Sequence, residues 1–289
     1  MSESLIETKR RIVTIESTKK ITKAMKLVSS VKFQRWKKLL DENKLYYSKM
    51  QNVMKKTASA IDTNKNNFSQ YLTPFDQDRV LYVVISSTLG LCGSYNYNVF
   101  RKLDPLIKKD DEIVIIGNKG QIHYKNYQNK IYDNFISIYD DFNYDQVKTL
   151  RHFLFRIYRE NKYKSISLVY THYKNSLSFE PEIIPIAPLD IENFKSESDS
   201  NIGYPPLFEP NVIEVADLIF PHYADSLLYM KLIESELSEQ ASRRNAMESA
   251  TDNADELLDN LKIVYNKSRQ AAITQEITEV VAGSNANNN

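Results

Sequence analysis

Glycine and proline are distributed very unevenly along this chain. All nine prolines and five of the six glycines lie between Pro74 and Pro221, and the remaining glycine is Gly283. These two residue types interrupt regular helices and strands more strongly than any others. The first 73 residues and the stretch from 222 to 282 are therefore free to form long helices. The distribution predicts two long terminal helices on either side of a turn-rich centre.

The C-terminal segment carries a seven-residue repeat in two complementary phases. Its members are Met247, Ala254, Leu261 and Ser268 in one phase and Leu258, Tyr265 and Ala272 in the other. This pattern is typical of a coiled-coil seam. A helix from His222 to Ala282 would be about 90 Å long at about 1.5 Å per residue. If it begins earlier, near Asn211, Pro221 would bend its first turns.

The N-terminal segment has a weaker stripe, with two threonines among its members: Ile12, Ile15, Thr18, Thr22, Met25 and Val28. The distribution of charge indicates which helix the N-terminal segment pairs with. Residues 9–38 carry eleven lysines or arginines and one carboxylate, whereas residues 231–260 carry eight carboxylates and three basic residues. Opposite flanking charges select which helices pair in a coiled coil. We therefore predict that the two terminal helices pair with each other as an antiparallel coil.

The centre of the chain has the pattern of a small α/β domain. Apolar runs at 80–85 and 113–116, and a third at 166–170 interrupted by Ser167, are typical of buried parallel strands. The run at 179–186 contains two prolines, which favour an edge strand. The predicted fold class is therefore α/β: a long antiparallel two-helix coiled coil plus a Rossmann-like central domain. The predicted domains are 1–73, 74–208 and 209–289, the first and last being the paired helices.

Other function classes find little support in the sequence. Net charge is +1, and the basic segment is balanced by the acidic one, which argues against nucleic-acid binding. The segment Gly90-Leu91-Cys92-Gly93 matches no phosphate-binding loop, and we interpret it as a strand-to-helix turn without a nucleotide. The single cysteine and four scattered histidines predict no disulfide, no metal site and no cofactor. No apolar run is long enough to span a membrane, and the first residues resemble neither a secretory signal nor a transit peptide.

Three blocks of the sequence resemble one known family. The first runs from Arg11 to Val28, with the core TKKITKAMKLV. The second is Gly90-Leu91-Cys92-Gly93 after a buried strand. The third comprises SEQA at 238–241, AMESATDNA at 246–254 and NKSRQAAITQEITE at 266–279. Together they resemble the γ subunits of F-type ATP synthases, and the C-terminal block is the most specific of them.

The resemblance implies a non-catalytic shaft that couples proton-driven rotation of the membrane c-ring to ATP synthesis or hydrolysis, and that regulates ATPase activity and proton flow. The implied partners are three α and three β subunits, the ε subunit and the c-ring. The implied location is the cytoplasmic face of a bacterial inner membrane, reached only through the complex. Carried over position by position, the implied torque-bearing residues are Met25, Arg243, Arg269, Gln270, Thr274 and Glu276.

The chain also departs from the family pattern. Thr88-Leu89 stand where the family usually has Asp-Arg, so any ion pair made by those two residues is absent. With Cys92 as its only cysteine, the chain lacks the regulatory cysteine pair of chloroplast γ subunits. The alternative function is a non-rotary coiled-coil adaptor, which would explain the helices but not the C-terminal block.

Overall fold

The computed structural model describes residues 2–61, 75, 78–138, 142–160, 163–189, 194 and 207–287. The chain divides into two compact units, a helical unit of residues 1–30 and 243–289 and a globular unit of residues 31–242. The domain boundary predicted between residues 73 and 74 lies outside the described residues. The boundary predicted between 208 and 209 stays a prediction.

Two long helices account for both ends of the chain. Helix α1 spans Ser2–Ala60, and helix α5 spans Val212–Asn287, with Pro221 inside it. The start of α5 is set by Asn211, whose side-chain oxygen accepts hydrogen bonds from the backbone N–H groups of Ile213 (3.1 Å) and Glu214 (3.0 Å). An asparagine in this position satisfies donors that the first helical turn leaves unpaired. Of the two predicted starts, the earlier one near Asn211 is therefore correct.

The globular unit contains a five-stranded sheet in the order β3-β2-β1-β4-β5. The strands are β1 (Val80–Ile85), β2 (Glu112–Ile116), β3 (Lys130–Tyr132), β4 (Ser165–Tyr173) and β5 (Phe179–Ala187). The first four are mutually parallel, and β5 runs antiparallel to β4. The sequence predicted β1, β2, β4 and β5 but missed β3.

Helices cover both faces of this sheet. On one face, Leu81, Val83 and Ile85 of β1 belong to a core that includes α4 (Tyr144–Arg159) and the parts of α1 and α5 within the globular unit. On the other face, Tyr82 and Val84 pack with α2 (Tyr95–Leu103) and α3 (Asn118–Tyr124). Alternate residues of a strand point to opposite faces, so β1 is buried on both. This doubly wound arrangement confirms the Rossmann-like prediction.

The segment Gly90-Leu91-Cys92-Gly93 connects β1 to α2, as predicted. Leu91 and Gly93 adopt positive φ angles of 63° and 58°. The turn is closed by the side chain of Asn96, whose Oδ1 accepts from the backbone N–H of Ser87 (2.9 Å) and whose Nδ2 donates to the Ser87 hydroxyl (2.6 Å). The buried Cys92 thiol also lies 3.2 Å from that Nδ2. These bonds of the Asn96 side chain lie within the globular unit.

A capping box begins helix α4. The Asn143 side chain accepts from the backbone N–H of Gln146 (2.9 Å), and the Gln146 side chain accepts from the backbone N–H of Asn143 (3.0 Å). We expect Asn143→Ala to lower the free energy of unfolding by about 1 kcal/mol, the usual value of such a cap. Urea denaturation followed by the fluorescence of the single tryptophan, Trp36, measures this change. Thr149→Ala is the matched control, because among the described residues that hydroxyl bonds only to its own helix, and an equal loss in both variants would contradict the prediction.

Candidate protein-interaction surface

In the helical unit, the least exposed residues of α5 follow the predicted heptad positions. Met247, Ala254 and Leu258 are buried, and the half-buried positions continue through 261, 265, 268 and 272. Every member of the seam predicted for α5 is thus among its less exposed residues. The seam on this helix is confirmed.

The seam predicted for α1 is only partly correct. Ile12, Ile15 and Met25 are half-buried and Thr22 is buried, but Thr18 is exposed and Val28 is 58% exposed. The alternation of three- and four-residue steps instead places Lys19 and Ser29 on the less exposed side. Lys19 fits there because its aliphatic stem can pack while its ammonium reaches a carboxylate.

Three polar contacts join the two helices and fix their direction. Lys19 forms an ion pair with Asp255, the hydroxyls of Thr22 and Thr251 lie 2.8 Å apart, and Lys26 Nζ lies 2.6 Å from Glu248 Oε1. Residue numbers that rise on α1 while they fall on α5 define an antiparallel pair. The antiparallel pairing and the basic-to-acidic match are therefore confirmed for these positions.

The first part of the acidic segment lies in the globular unit rather than in the helical unit. Glu234, Glu236 and Glu239 belong to the globular unit, where Glu236 and Glu239 are buried to 1% and 3% exposure. Glu234 pairs there with His172 (3.0 Å) and Lys231 (3.2 Å). Glu234 therefore pairs outside α1, and for Glu236 and Glu239 the match with the basic part of α1 stays a prediction.

The Lys26–Glu248 pair gives a pH prediction. The hydrogen bond from Lys26, followed by its charge, lowers the pKa of Glu248 below the ordinary value. The stabilisation from this pair is therefore present above the ordinary pKa and is lost as the pH falls through the lowered one. We expect Lys26→Met to raise the pKa of Glu248, as measured by NMR titration of its carboxyl carbon. In the control Lys23→Met the pKa of Glu248 should stay low, and a pKa unchanged in Lys26→Met would contradict the assignment.

The structure places the six predicted torque-bearing residues in the helical unit, in different environments. Met25 is half-buried and Arg243 is buried, at 7% exposure. Arg269, Gln270, Thr274 and Glu276 are exposed. The Thr274 hydroxyl donates to the backbone oxygen of Gln270 (2.9 Å), so these two residues lie one turn apart. Together, Arg269, Gln270 and Thr274 form a polar group near the end of α5.

Met25 and Arg243 lie at different levels of the coil. Lys26, next to Met25, pairs with Glu248. Arg243 precedes Glu248 by five residues, or about 7.5 Å along a helix. The family resemblance implies that these two residues face each other or the surrounding ring, and this role stays a prediction.

Helix α5 is exposed on every side from Ile273 to Ala282. Ala272, just before this stretch, is half-buried. Four of them have large apolar side chains: Ile273, Ile277, Val280 and Val281, between 47% and 71% exposed. Spacings of four, three and one residues put much of this surface on one side of the helix. Exposed apolar surface of this kind is typical of a segment that binds a partner.

The sequence analysis missed a second group of exposed apolar residues. They lie outside the seam of the helical unit: Ile21, Leu27 and Val28 on α1, and Leu257, Ile263 and Val264 on α5, each 49% exposed or more. For all of them except Val28, which the predicted seam included, the heptad assignment itself contains the signal that would have found them. A large apolar residue that lies outside the seam has no partner helix in the chain, which marks it as a candidate contact residue.

The described part of the chain contains neither a candidate metal site nor a candidate membrane-spanning helix. There, no group of three or more histidine, cysteine, aspartate or glutamate side chains is placed to hold a metal ion. Among the described helices, none is both long and apolar enough to cross a membrane. The surface of the helical unit is thus the strongest candidate for a functional site.

Comparison with known proteins gives a consistent family match. Residues 4–286 match the family model described as ATP synthase. The chain is 38% identical over 281 residues to the ATP synthase gamma chain of Mycoplasma genitalium, a match that covers 96% of this chain and 98% of the relative. It is 36% identical over 286 residues to the ATP synthase gamma chain of Heliobacterium modesticaldum, covering 96% and 97%.

Solved structures share the fold at low sequence identity. A chain of the Euglena gracilis mitochondrial ATP synthase, in a structure of OSCP, F1 and the c-ring, aligns with a TM-score of 0.65 and 19% identity, covering 99% of this chain and 95% of that one. A chain of the Tetrahymena thermophila mitochondrial ATP synthase, in a structure of the central stalk and c-ring, aligns with a TM-score of 0.56 and 24% identity, covering 80% and 99%.

Proposed function

The chain belongs to the family of ATP synthase gamma chains, and from this premise we propose that it is the central-stalk rotor subunit of an F-type ATP synthase. The observation that carries the proposal is the family match over residues 4–286, which includes both helices of the coil. The partners are three α and three β subunits around the coil, the ε subunit, and the membrane c-ring. The chain passes rotation between the c-ring and the nucleotide sites.

In this role the chain has no catalytic site of its own, and nucleotide chemistry takes place on the β subunits. Its partners hold it at the cytoplasmic face of a bacterial inner membrane, as a peripheral protein. Bacterial gamma chains are among its relatives, which supports this location.

A rotor subunit acts on the β subunits as a ligand with unequal contacts. It changes the conformation of a site only through a difference in interaction free energy between two states of that site. Moving a site from 1:99 to 99:1 takes about 5.5 kcal/mol. About two to four charge-assisted hydrogen bonds, at about 1.5–3 kcal/mol each, are enough.

The exposed polar group near the end of α5 suits this task. Arg269 and Gln270 contact one β subunit at a time, and Thr274 and Glu276 lie on the next turn. The segment from Ile273 to Val281 turns within a sleeve formed by the surrounding subunits, which its four large apolar side chains contact. The same part of α5 thus carries polar groups for discrete binding and apolar side chains for contact of low friction.

Met25→Lys is expected to slow turnover and to lower the number of protons pumped per ATP hydrolysed. Met25 is half-buried in the coil beside the exposed residues Ala24 and Leu27. A lysine here would add a charge close to acidic loops of the β subunits. An added charge-assisted hydrogen bond of about 1.5–3 kcal/mol slows the step at which the shaft leaves a β subunit by about tenfold or more.

Proteoliposomes that contain the complex allow hydrolysis and proton pumping to be measured together. Met25→Leu is the matched control, since it keeps an apolar side chain of similar size. Unchanged coupling in Met25→Lys would count against this contact.

Reconstitution tests the proposed function. The purified chain is mixed with the α and β subunits of the same organism, and the mixture is separated by size. We expect one copy of the chain per three α–β pairs and faster ATP hydrolysis than α and β alone achieve. If the chain elutes alone or self-associates and leaves hydrolysis unchanged, the coiled-coil adaptor replaces the rotor as the better account.

A further inference from the structure

Helix α5 contains a stretch that is buried on every side and is nevertheless polar. All eight residues from Ser235 to Ser242 are at most 4% exposed, and of these only Leu237 and Ala241 are apolar. A helix buried all round is normally apolar. Burial of a polar side chain is unfavourable unless it forms hydrogen bonds. The composition of this stretch therefore requires an explanation beyond stability.

Three serines on one face of this stretch bond to the sheet side of the globular unit. Ser235 Oγ accepts from the backbone N–H of Thr171 on β4 (3.0 Å) and from the hydroxyl of Tyr95 (3.3 Å). Ser242 Oγ donates to the backbone oxygen of Cys92, in the turn after β1 (2.7 Å). Ser238 Oγ lies between them, 3.4 Å from the backbone oxygen of Thr171, and donates to its own helix at Glu234 (2.8 Å).

We call Ser235, Ser238 and Ser242 the polar seam. Their spacing of three and four residues places them in one row along the helix. The row is about 10 Å long and joins α5 to the backbone at two separate points, β4 and the turn after β1. Backbone groups within a packed sheet and a tight turn are rigid partners, unlike the ends of flexible side chains.

Directional bonds and apolar packing resist movement differently. Apolar packing is non-directional, so a helix held only by it can rotate or slide with modest loss of contact. A hydrogen bond weakens steeply once its angle or distance departs from the optimum. A row anchored at two points therefore sets both the rotation of α5 about its axis and its axial position against the sheet.

We propose that the polar seam is the torque-bearing joint between the sheet and helix α5, and that its serines are positioning residues for rotary coupling. This inference rests on the proposed rotor function. Torque that enters the α/β part of the chain passes to α5 through these bonds, and the same helix continues to Asn287. Without these bonds, α5 keeps its place against the sheet in the absence of torque but rotates or slides when torque is applied.

The test compares loaded and unloaded rotation of the same complex. The complete ATP synthase is assembled with Ser235→Ala/Ser242→Ala and placed in vesicles. ATP hydrolysis with an uncoupler measures turnover without load, and the steady proton gradient without uncoupler measures work against load. We expect ATP hydrolysis with uncoupler to stay within about twofold of wild type. The steady proton gradient without uncoupler should fall about tenfold, the factor that corresponds to about one hydrogen bond.

Ser226→Ala is the matched control. Ser226 lies on the same helix at 2% exposure, and its hydroxyl has no hydrogen-bond partner among the described residues. This variant should behave as wild type under both conditions. If the double variant does not fold, Ser242→Ala alone is used, since it leaves the bonds to β4 in place.

Three results would overturn the inference. An equal reduction in uncoupled ATP hydrolysis and in the steady proton gradient would mean that the serines only support the structure. A steady proton gradient equal to that of Ser226→Ala would mean that the bonds carry no torque. If the wild-type chain itself forms no complex with α and β, the proposed function fails and the inference with it, a result distinct from the other two.

Discussion

Replacing Arg151 by methionine is expected to lower the free energy of unfolding by about 3–5 kcal/mol, the cost of leaving a buried charge without its partner. Arg151 on α4 donates from Nε to Asp225 Oδ1 (2.9 Å) and from Nη2 to Oδ2 (3.3 Å). The two side chains are only 9% and 1% exposed. Burial, followed by the charge of Asp225, also raises the pKa of Tyr144 to about 12. A carboxylate in such surroundings has no access to water that would replace the guanidinium.

Fluorescence of Trp36 during urea denaturation measures this effect in the globular unit. Trp36 is the only tryptophan, is buried and stacks on Phe142 with ring centroids 5.0 Å apart. Lys174→Met is the matched control, because it removes an ion pair with Glu180 whose side chains are about half exposed. The double variant Arg151→Met/Asp225→Leu should recover most of the loss, since an apolar pair can replace a buried ion pair. A loss below about 1 kcal/mol in Arg151→Met, the range of an exposed pair, would contradict the prediction.

Removing residues 273–289 is expected to leave assembly with α and β largely intact but to abolish most rotary coupling. The exposed part of this segment forms no seam with α1, so its loss leaves both compact units in place. The truncation does remove four apolar side chains that a surrounding sleeve would bury. Burial of a side chain contributes about 1.5–3 kcal/mol, so the free energy lost with all four exceeds the roughly 5.5 kcal/mol needed to switch a site. ATP synthesis in proteoliposomes measures the loss.

The matched control removes only residues 283–289. These polar residues lie beyond the exposed apolar stretch, so coupling should stay close to that of the full chain. Loss of assembly in this shorter truncation would contradict the assignment of residues 273–282 as the torque-bearing tip. Full coupling in the longer truncation would contradict it as well.

The sequence was sufficient for the features that depend on local rules. The distribution of glycine and proline predicted both long helices, because breakers act wherever they occur. The heptads of α5 were identified correctly because they contain large apolar residues. On α1 the same method chose Thr18 and Val28 by residue type, whereas the structure places Lys19 and Ser29 nearer the partner helix. Strand β3 escaped prediction since its three residues, Lys130–Tyr132, form no apolar run.

The polar seam and the buried carboxylates were beyond sequence reasoning for a physical reason. Glu236 and Glu239 lie in a segment whose charges suit an exposed helix face, and only the surrounding sheet and helices bury them. Their surroundings come from residues distant in the chain, such as Thr171, which bonds to Ser235 across 64 positions. Tertiary context of this kind overrides local composition. The prediction of six torque-bearing residues rests on the family resemblance, and the structure gives the exposure of these residues rather than their partners.

Direct observation of rotation tests the central claim. Leu177 lies in the turn between β4 and β5 and is 83% exposed, whereas the only native cysteine, Cys92, is buried at 3%. A Leu177→Cys variant can therefore be labelled selectively, assembled with α and β, and fixed to a surface through the α–β ring. The rotor account predicts ATP-dependent movement of the label in one direction, in steps of one third of a turn. A label that stays still, or moves without direction while the complex hydrolyses ATP, would contradict it.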